Sequence, residues 1–237
     1  MIQVYQATDV GRVRQGNEDS VVVFEPSVYV VADGMGGEAA GEVASHLLVD
    51  TVRQTLAGSR DIVEDSLRQA VLAANDVILT CVAETPAYQG MGTTATLLHI
   101  DEDERQACWA HVGDSRLYLL RDGAALQRVT RDHSYVEDLV AQGSITEDEA
   151  KVHPRRNLLT RAVGVDRDLS VDTGRLALKG GDILLLATDG LMKHVSDEEI
   201  AELLLAENAN PAQTLIQRAL DAGGSDNITA VVVVCSA

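Results

Sequence analysis

One stretch of the chain, residues 28–46, constrains the fold more than any other: VYVVADGMGGEAAGEVASH. It begins with five apolar, mostly β-branched residues, 28–32, which are typical of a buried strand. The strand is expected to end on the carboxylate of Asp33, and glycines follow at positions 34, 36, 37 and 41. An amphipathic helix is expected next, over residues 39–56. Because a charge at the end of a buried strand is costly, the rest of the chain must supply something that stabilises it.

Composition limits the class of protein. The chain has 237 residues, of which 46% are apolar and 3% aromatic, so it can build a full aliphatic core. Its net charge of −18 repels phosphate backbones and anionic lipids, so neither nucleic acid nor a membrane is an expected partner. Its three cysteines, Cys81, Cys108 and Cys235, form no CxxC pair, which argues against a disulfide framework or a zinc site. Without a signal-peptide pattern or an apolar run near the roughly 18 residues of a membrane span, we expect a cytoplasmic protein.

The expected order of elements places two long helices between two blocks of strands. Helices are expected over 39–56 and 62–83, and strands over 2–8, 20–24, 28–32, 94–100, 107–112, 116–120, 125–129, 183–188 and 229–234. Short connections, including a hairpin turn at Asp122-Gly123, favour antiparallel pairing. Two further helices are expected to begin after Ser196 and Asn210. No linker or internal repeat interrupts this order, so we expect a single domain over 1–237 with a helix layer over a sheet.

Acidic residues recur beside tight turns at the ends of predicted strands. These residues are Asp33, Asp114, Asp189 and Asp226, together with the neighbouring pair Glu18 and Asp19. A single Asp-Gly pair is usually only a turn, as at Asp122-Gly123, but recurrence at four strand ends favours a common site.

Carboxylates gathered in one place raise one another's pKa and cannot all stay ionised without a cation. Oxygen ligands favour Mg²⁺ or Mn²⁺ over zinc, and a cluster of this size can hold two ions. Two ions about 3.5–4 Å apart form the usual clamp for phosphate ester hydrolysis, in which a bridging water is the nucleophile. An anion-binding group is also needed, and by residue type alone either Arg14 or Arg12 would serve.

Other phosphate-related motifs fit less well. The pattern GxGxxA at 34–39 matches a dinucleotide-binding loop on paper, but its helix leads into a second helix rather than a parallel strand, and no strand-end acid follows about 20 residues on. The DxDx motif of haloacid-type phosphatases and the GxSxG motif of serine hydrolases are absent.

Eight ordered motifs make the chain similar to bacterial metal-dependent serine/threonine protein phosphatases of the 2C type, the PPM family. They are TDVGRVRQGNED (8–19), ADGMGG with GEVAS (32–45), GMGTT (90–94), VGDSR (112–116), TRDHS (130–134), LLTRAVG (158–164), ATDGL (187–191) and GSDNIT (224–229). The resemblance implies an α+β fold, a four-layer α-β-β-α sandwich of two antiparallel sheets flanked by helices, with a flap at about 134–160. It also implies hydrolysis of phosphoserine and phosphothreonine in signal transduction, by direct attack of a metal-bridging water on phosphorus.

The resemblance assigns a role to each candidate residue. Asp33 would bridge two Mn²⁺ or Mg²⁺ ions, and Asp189 and Asp226 would complete the first. The Gly34 carbonyl would bind the second, with Glu18 and Asp19 contributing directly or through water. Asp114, with Asp189, would bind a third, weaker ion. Arg14, rather than Arg12, matches the family's phosphate-binding arginine.

One residue departs from the family pattern, since many bacterial members carry histidine where this chain has Glu38. We expect metal-bound water to protonate the leaving group, with Glu38 tuning it. Basic residues at 153–157 would lie near the site, and both substrate contact and a plain solvated loop are open for them.

Phosphorylated proteins, namely Ser/Thr kinases and their substrates, are the expected partners of a monomeric enzyme. The alternative is a catalytically silent phosphoprotein-binding domain on the same fold, which the presence of every metal-binding aspartate disfavours.

Overall fold

A computed structural model describes residues 2–36, 40–59, 61–123, 125–207 and 209–236. The strands are β1 (Ile2–Asp9), β2 (Asp19–Phe24), β3 (Val28–Met35), β4 (Gly92–Thr93), β5 (Ala95–Asp101), β6 (Gln106–Val112), β7 (Arg116–Leu120), β8 (Gln127–Arg128), β9 (Asp172–Ala177), β10 (Ile183–Ala187) and β11 (Ile228–Cys235). The helices are α1 (Ala40–Leu56), α2 (Glu64–Glu84), α3 (Tyr135–Ala141), α4 (Glu147–Lys151), α5 (Asp189–Met192), α6 (Asp197–Leu205) and α7 (Pro211–Asp221), with a short 3-10 helix at Pro86–Tyr88.

The strands form two antiparallel sheets. One has the order β1-β11-β10-β7-β8, and the other has the order β2-β3-β5-β6-β9, with β4 paired to the end of β3. A layer of apolar side chains, including Tyr29, Leu98, Leu117 and Val231, fills the space between the sheets. The two sheets therefore pack face to face, as the predicted sandwich requires.

Each sheet is covered on its outer face by helices. Leu48 of α1 and Leu67 of α2 pack with Val30 on one side, and Leu215 of α7 packs with Val232 on the other. Successive residues of β3 and β11 thus face a helix layer and the opposite sheet in turn, which is why both strands read as unbroken apolar runs. The four-layer α-β-β-α sandwich is confirmed.

Two strand predictions need correction, and one further strand was not predicted. Strand β3 continues through Asp33 to Met35, two residues beyond the carboxylate on which it was expected to end. The strand expected over 125–129 is reduced to Gln127–Arg128, although Asp122 and Gly123 make the expected turn with φ of 54° and 65°. Strand β9 was not predicted, because its alternation of partly exposed residues resembles a loop. It pairs with β6, where Gly174 leaves room for the Trp109 ring, since an added Cβ would lie 2.6 Å from Cζ2.

Helix α2 also departs from expectation. In the described part of the chain it is the one helix that meets the length and composition of a membrane span, with a mean hydropathy of 1.2 over its most apolar window. No segment of that kind was expected. Its apolar stripe, including Leu67, Val71 and Ile78, is fully buried against α1 and the sheet. Packing in the protein core therefore accounts for the apolar stripe on one face of the helix.

Candidate metal centre

The predicted acidic residues converge where strands from both sheets come together. Asp19 and Asp33 are directly paired across β2 and β3. In the other sheet, Asp189 follows β10, and Asp226 precedes β11, which is paired with β10. Asp114 lies in the tight connection between β6 and β7, which joins the two sheets. The topology thus brings together residues that are more than two hundred positions apart in the chain, such as Asp19 and Asp226.

The backbone of Asp33 is held on both sides within the strand. Its N–H donates to Thr94 Oγ1 at 2.8 Å, and its carbonyl oxygen accepts from the Thr94 N–H at 2.9 Å and from Thr93 Oγ1 at 3.0 Å. Strand β3 continues past the carboxylate because Gly34 and Met35 pair with β4. Asp33 therefore lies within the hydrogen-bonded part of β3 rather than at the start of a loop.

Asp19 is the most deeply buried acidic residue of the cluster, with 6% of its surface exposed. Its Oδ2 accepts hydrogen bonds from Thr188 Oγ1 at 2.8 Å and Thr229 Oγ1 at 2.7 Å. Its Oδ1 is buried and has no hydrogen-bond partner. Burial raises the pKa of Asp19 to about 7, even though the two threonine hydroxyls favour the ionised form.

The pKa values of the neighbouring carboxyl groups are also raised. Burial, followed by the charges of Asp19 and Asp189, raises the pKa of Asp33 well above its ordinary range. Burial and the charge of Asp189 raise the pKa of Asp114 to about 8. The Oδ1 atom of Asp189 is also buried without a hydrogen-bond partner. Two such oxygens in a cluster of mutually repelling carboxylates suit a hard divalent cation, which would ligate them and remove the repulsion.

Two basic side chains already contact the cluster. Lys193 Nζ lies 2.6 Å from Asp189 Oδ2 and 2.6 Å from Asp226 Oδ2, and Arg14 Nε lies 2.8 Å from Asp226 Oδ1. Burial alone would raise the pKa of Asp226, but the hydrogen bond and charge of Lys193, together with Arg14, lower it. Within the described ranges, no three acidic, histidine or cysteine side chains are arranged closely enough to hold an ion as they stand. Both oxygens of Asp226 are bound to basic groups, so ion binding requires these contacts to change.

The two candidate arginines occupy different places. Arg14 lies beside Asp226, and the carboxylates of Glu18 and Asp33 are close enough to act on its charge. Burial raises the pKa of Glu18, and the charge of Arg14 opposes that shift. Arg12 instead donates from Nε to the Leu220 carbonyl oxygen at 2.7 Å, at the C-terminal end of α7. Of the two, Arg14 is the arginine at the carboxylate cluster.

Comparison with known proteins decides the family. The family model described as protein phosphatase 2C matches residues 12–222. The chain belongs to the protein phosphatase 2C family. It is 39% identical to the serine/threonine phosphatase stp of Listeria monocytogenes, over 95% of this chain and 93% of that protein.

Two solved structures are similar over nearly the whole chain. The serine/threonine phosphatase PstP/Ppp of Mycobacterium tuberculosis has 38% sequence identity and a TM-score of 0.91, covering 100% of this chain and 99% of that one. A structure of the PstP catalytic domain in complex with two manganese ions has 38% identity, the same coverage of both chains and a TM-score of 0.89. The predicted protein serine/threonine phosphatase activity and its dependence on Mn²⁺ or Mg²⁺ are confirmed at the level of the family. Nothing in these comparisons supports a catalytically silent protein.

The glycine after Asp33 has a packing role in this 2C-type phosphatase. A Cβ at Gly34 would lie 2.0 Å from the carbonyl oxygen of Gly41 and 2.7 Å from that of Glu18. Gly34 therefore lets the first turn of α1 and the loop before β2 approach the edge of β3. The role of its carbonyl as a metal ligand stays a prediction.

Substituting Gly34 with alanine is expected to destabilise the fold by about 3 kcal/mol, because the new methyl group overlaps backbone atoms that no rotamer can move. Gly16→Ala is a matched control in the same N-terminal motif, since nothing lies within 4 Å of a Cβ there. Chemical denaturation of the three proteins measures the difference. Equal stability of Gly34→Ala and the wild type would show that α1 can move away from β3 without loss.

Sequence reasoning missed three residues of the site. Thr188 and Thr229 hold Asp19 although they lie far from it in the chain, and their positions beside Asp189 and near Asp226 were the only signal. Lys193 could have been found from its spacing, since a residue four positions after Asp189 on a helical turn shares its face.

Two other predictions concern regions beside the site. Glu38 lies outside the described residues. The segment 134–160 contains α3 and α4, the latter with the capping box of Thr146 and Glu149. Within it, Arg155 and Arg156 are both exposed, and the Arg155 guanidinium lies 5.6 Å from the centre of the Tyr135 ring. Arg155 therefore contributes to packing in this segment, which leaves Arg156 as the freer of the two to contact another molecule.

Proposed function

We propose that this 2C-type phosphatase hydrolyses phosphoserine and phosphothreonine at the carboxylate cluster, with Asp33, Asp189 and Asp226 as the principal metal ligands. The observation that carries this proposal is the pair of buried carboxylate oxygens without hydrogen-bond partners, Asp19 Oδ1 and Asp189 Oδ1. Buried polar atoms of this kind are rare and call for a partner.

The remaining ligand roles are proposed by the same reasoning. Asp33 would lie between two ions, a role supported by its closeness to both Asp19 and Asp189. The Gly34 carbonyl would serve the second ion, with Glu18 and Asp19 acting directly or through water. Asp114, which adjoins Asp189, would hold a third ion with it.

Bound ions would supply an activated water and neutralise charge on the phosphoryl group. The protein residues position these parts. Threonine hydroxyls orient the Asp19 carboxylate, and the β3–β4 pairing holds Asp33 in place. The Arg14 side chain is 48% exposed and is oriented by its contact with Asp226, so its guanidinium can bind a phosphoryl group from the solvent side.

The substrates are phosphorylated proteins, and we propose Ser/Thr kinases and their targets as the partners of a monomeric, cytoplasmic enzyme in signal transduction. The segment 134–160 is proposed as a flap beside the site, within a single domain over 1–237. The segment is acidic overall, but exposed Arg156 supplies a local positive charge that would favour an anionic phosphopeptide.

The test is release of phosphate from a phosphothreonine peptide. Purified protein treated with chelator is expected to be inactive, and addition of Mn²⁺ at neutral pH is expected to restore turnover. Circular dichroism establishes that the treated protein is folded. No release from folded protein in the presence of Mn²⁺ would refute the proposed function.

A further inference from the structure

The carboxylate cluster contains a basic side chain that the proposed chemistry does not use. Lys193 Nζ is 2.6 Å from one oxygen of Asp189 and 2.6 Å from one oxygen of Asp226. Both distances are those of charge-assisted hydrogen bonds. Arg14 contacts only one of these two carboxylates, so Lys193 is the group that joins them.

The local structure fixes Lys193 in this position. Lys193 follows α5, and its backbone N–H donates to the Asp189 carbonyl oxygen at 2.9 Å. This bond places the lysine one helical turn after the aspartate and on the same face. Leu191, fully buried in the adjacent core, anchors the turn. Only 27% of the lysine side chain is exposed, so the ammonium group is held in the cluster rather than in solvent.

A metal ion and this ammonium group compete most directly at Asp226. Asp189 keeps an oxygen without a partner, Oδ1, but both oxygens of Asp226 are already bound to basic groups, Oδ2 to Lys193 and Oδ1 to Arg14. A divalent cation that both aspartates ligate at about 2.0–2.2 Å would therefore take the place of the lysine nitrogen between them. The lysine must also move away from the ion, because two positive centres a few ångströms apart repel strongly in a partly buried site. Its long, flexible side chain and partial exposure allow that movement toward solvent.

We propose that Lys193 is an internal competitor for the metal, which holds Asp189 and Asp226 together in the metal-free protein and lowers metal affinity by having to be displaced. The proposal rests on the assignment of these two aspartates as metal ligands. It gives Lys193 two effects of opposite sign: the lysine stabilises the metal-free protein, and it weakens the binding of the ion.

A purely structural lysine would behave differently. If Lys193 only held the two aspartates in the geometry that the metal needs, its removal would weaken metal binding and stability together. The sign of the change in affinity therefore separates competition from preorganisation.

The experiment is calorimetric titration of Mn²⁺ alone into chelator-treated, dialysed protein, together with thermal melting before metal addition. Lys193→Met is expected to lower the dissociation constant for Mn²⁺ about tenfold and to lower the melting temperature of the metal-free protein by roughly 2–6 °C. Lys193→Arg retains the charge and is expected to stay within about threefold of the wild-type affinity. Lys151→Met is the matched control: it removes the same charge from an exposed pair with Asp148, and it should change neither measurement.

Asp189→Ala tests the assignment of the metal ligands separately from the competition by Lys193. If Asp189 is a ligand, this variant should lose tight Mn²⁺ binding. If Asp189→Ala binds Mn²⁺ as the wild type does, or if the wild type does not bind it, the ligand assignment fails and the competition proposal falls with it. If Asp189→Ala loses binding while Lys193→Met binds Mn²⁺ equally or more weakly, only the competition proposal is overturned.

Discussion

Asp33→Asn is expected to abolish turnover of a phosphothreonine peptide while leaving the protein folded. The carboxylate adjoins Asp19, Asp189 and Asp114, so it is the residue best placed to serve two ions at once. An amide keeps the shape of the side chain but loses the charge that the ions need. We expect kcat to fall by at least about 1,000-fold, equivalent to about 4 kcal/mol of transition-state stabilisation.

The stability of Asp33→Asn should change in the opposite direction to its activity. Neutralising one member of a group of buried, like-charged carboxylates removes repulsion, so the melting temperature in the presence of chelator should not fall. Asp122→Asn is the matched control, because Asp122 also precedes a glycine but lies in an exposed hairpin turn, where asparagine tolerates its positive φ. Near-wild-type turnover by Asp33→Asn would contradict the role of Asp33 as a metal ligand. Unfolding of the variant would also contradict the prediction, since activity would then be lost through loss of structure.

Arg14→Ala is expected to lower kcat/KM for the same peptide by roughly 30- to 150-fold. This range corresponds to a loss of about 2–3 kcal/mol of transition-state binding, which is the contribution expected of a hydrogen bond to a charged group. Arg14 contacts the cluster through Asp226, and its side chain is about half exposed. This position suits a residue that binds the phosphoryl group of a substrate entering from solvent. Arg14→Lys should recover only part of the loss, because an ammonium group cannot reproduce the planar two-nitrogen contact.

Arg12→Ala provides the comparison for Arg14→Ala. Arg12 contacts Leu220 and Asp221 at the end of α7, so its loss should leave kcat/KM within about twofold. Calorimetry with Mn²⁺ alone distinguishes a phosphate-binding residue from one that maintains the metal site, since Arg14→Ala should bind Mn²⁺ at least as tightly as the wild type. Equal losses of activity from the two alanine variants, or weakened Mn²⁺ binding by Arg14→Ala, would contradict the assignment.

Much of the fold could be read from local patterns. Alternation and apolar runs predicted most strands, and the positions of Ser196 and Asn210 predicted helix starts that the structure confirms. The errors occurred where tertiary contacts override local pattern. Strand β9 exists because β6 pairs with it and Trp109 packs over Gly174, and β3 extends past Asp33 because β4 supplies a partner.

The residue types of the site were also readable in advance, since a carboxylate beside a tight turn is visible at each position. The arrangement of these residues relative to one another could not be predicted from the sequence. Thr188 and Thr229 reach Asp19 across 169 and 210 residues of chain, and only the pairing of β10 with β11 and the packing of the two sheets bring them there. The conflict between Lys193 and a metal ion is equally a property of the folded chain.

Periodicity and turn residues in the sequence predicted the order of the elements and the set of acidic residues, because both are local properties of a chain. The ordered motifs carried the resemblance that implied the sandwich and the family. The folded structure alone shows which carboxylate oxygens are left without partners and which lysine lies between two of the aspartates, and it places Arg14, the arginine that the motifs favoured, beside the cluster. These depend on strand register and on the packing of one sheet against the other, where a shift of one residue would turn every side chain of a strand to its opposite face.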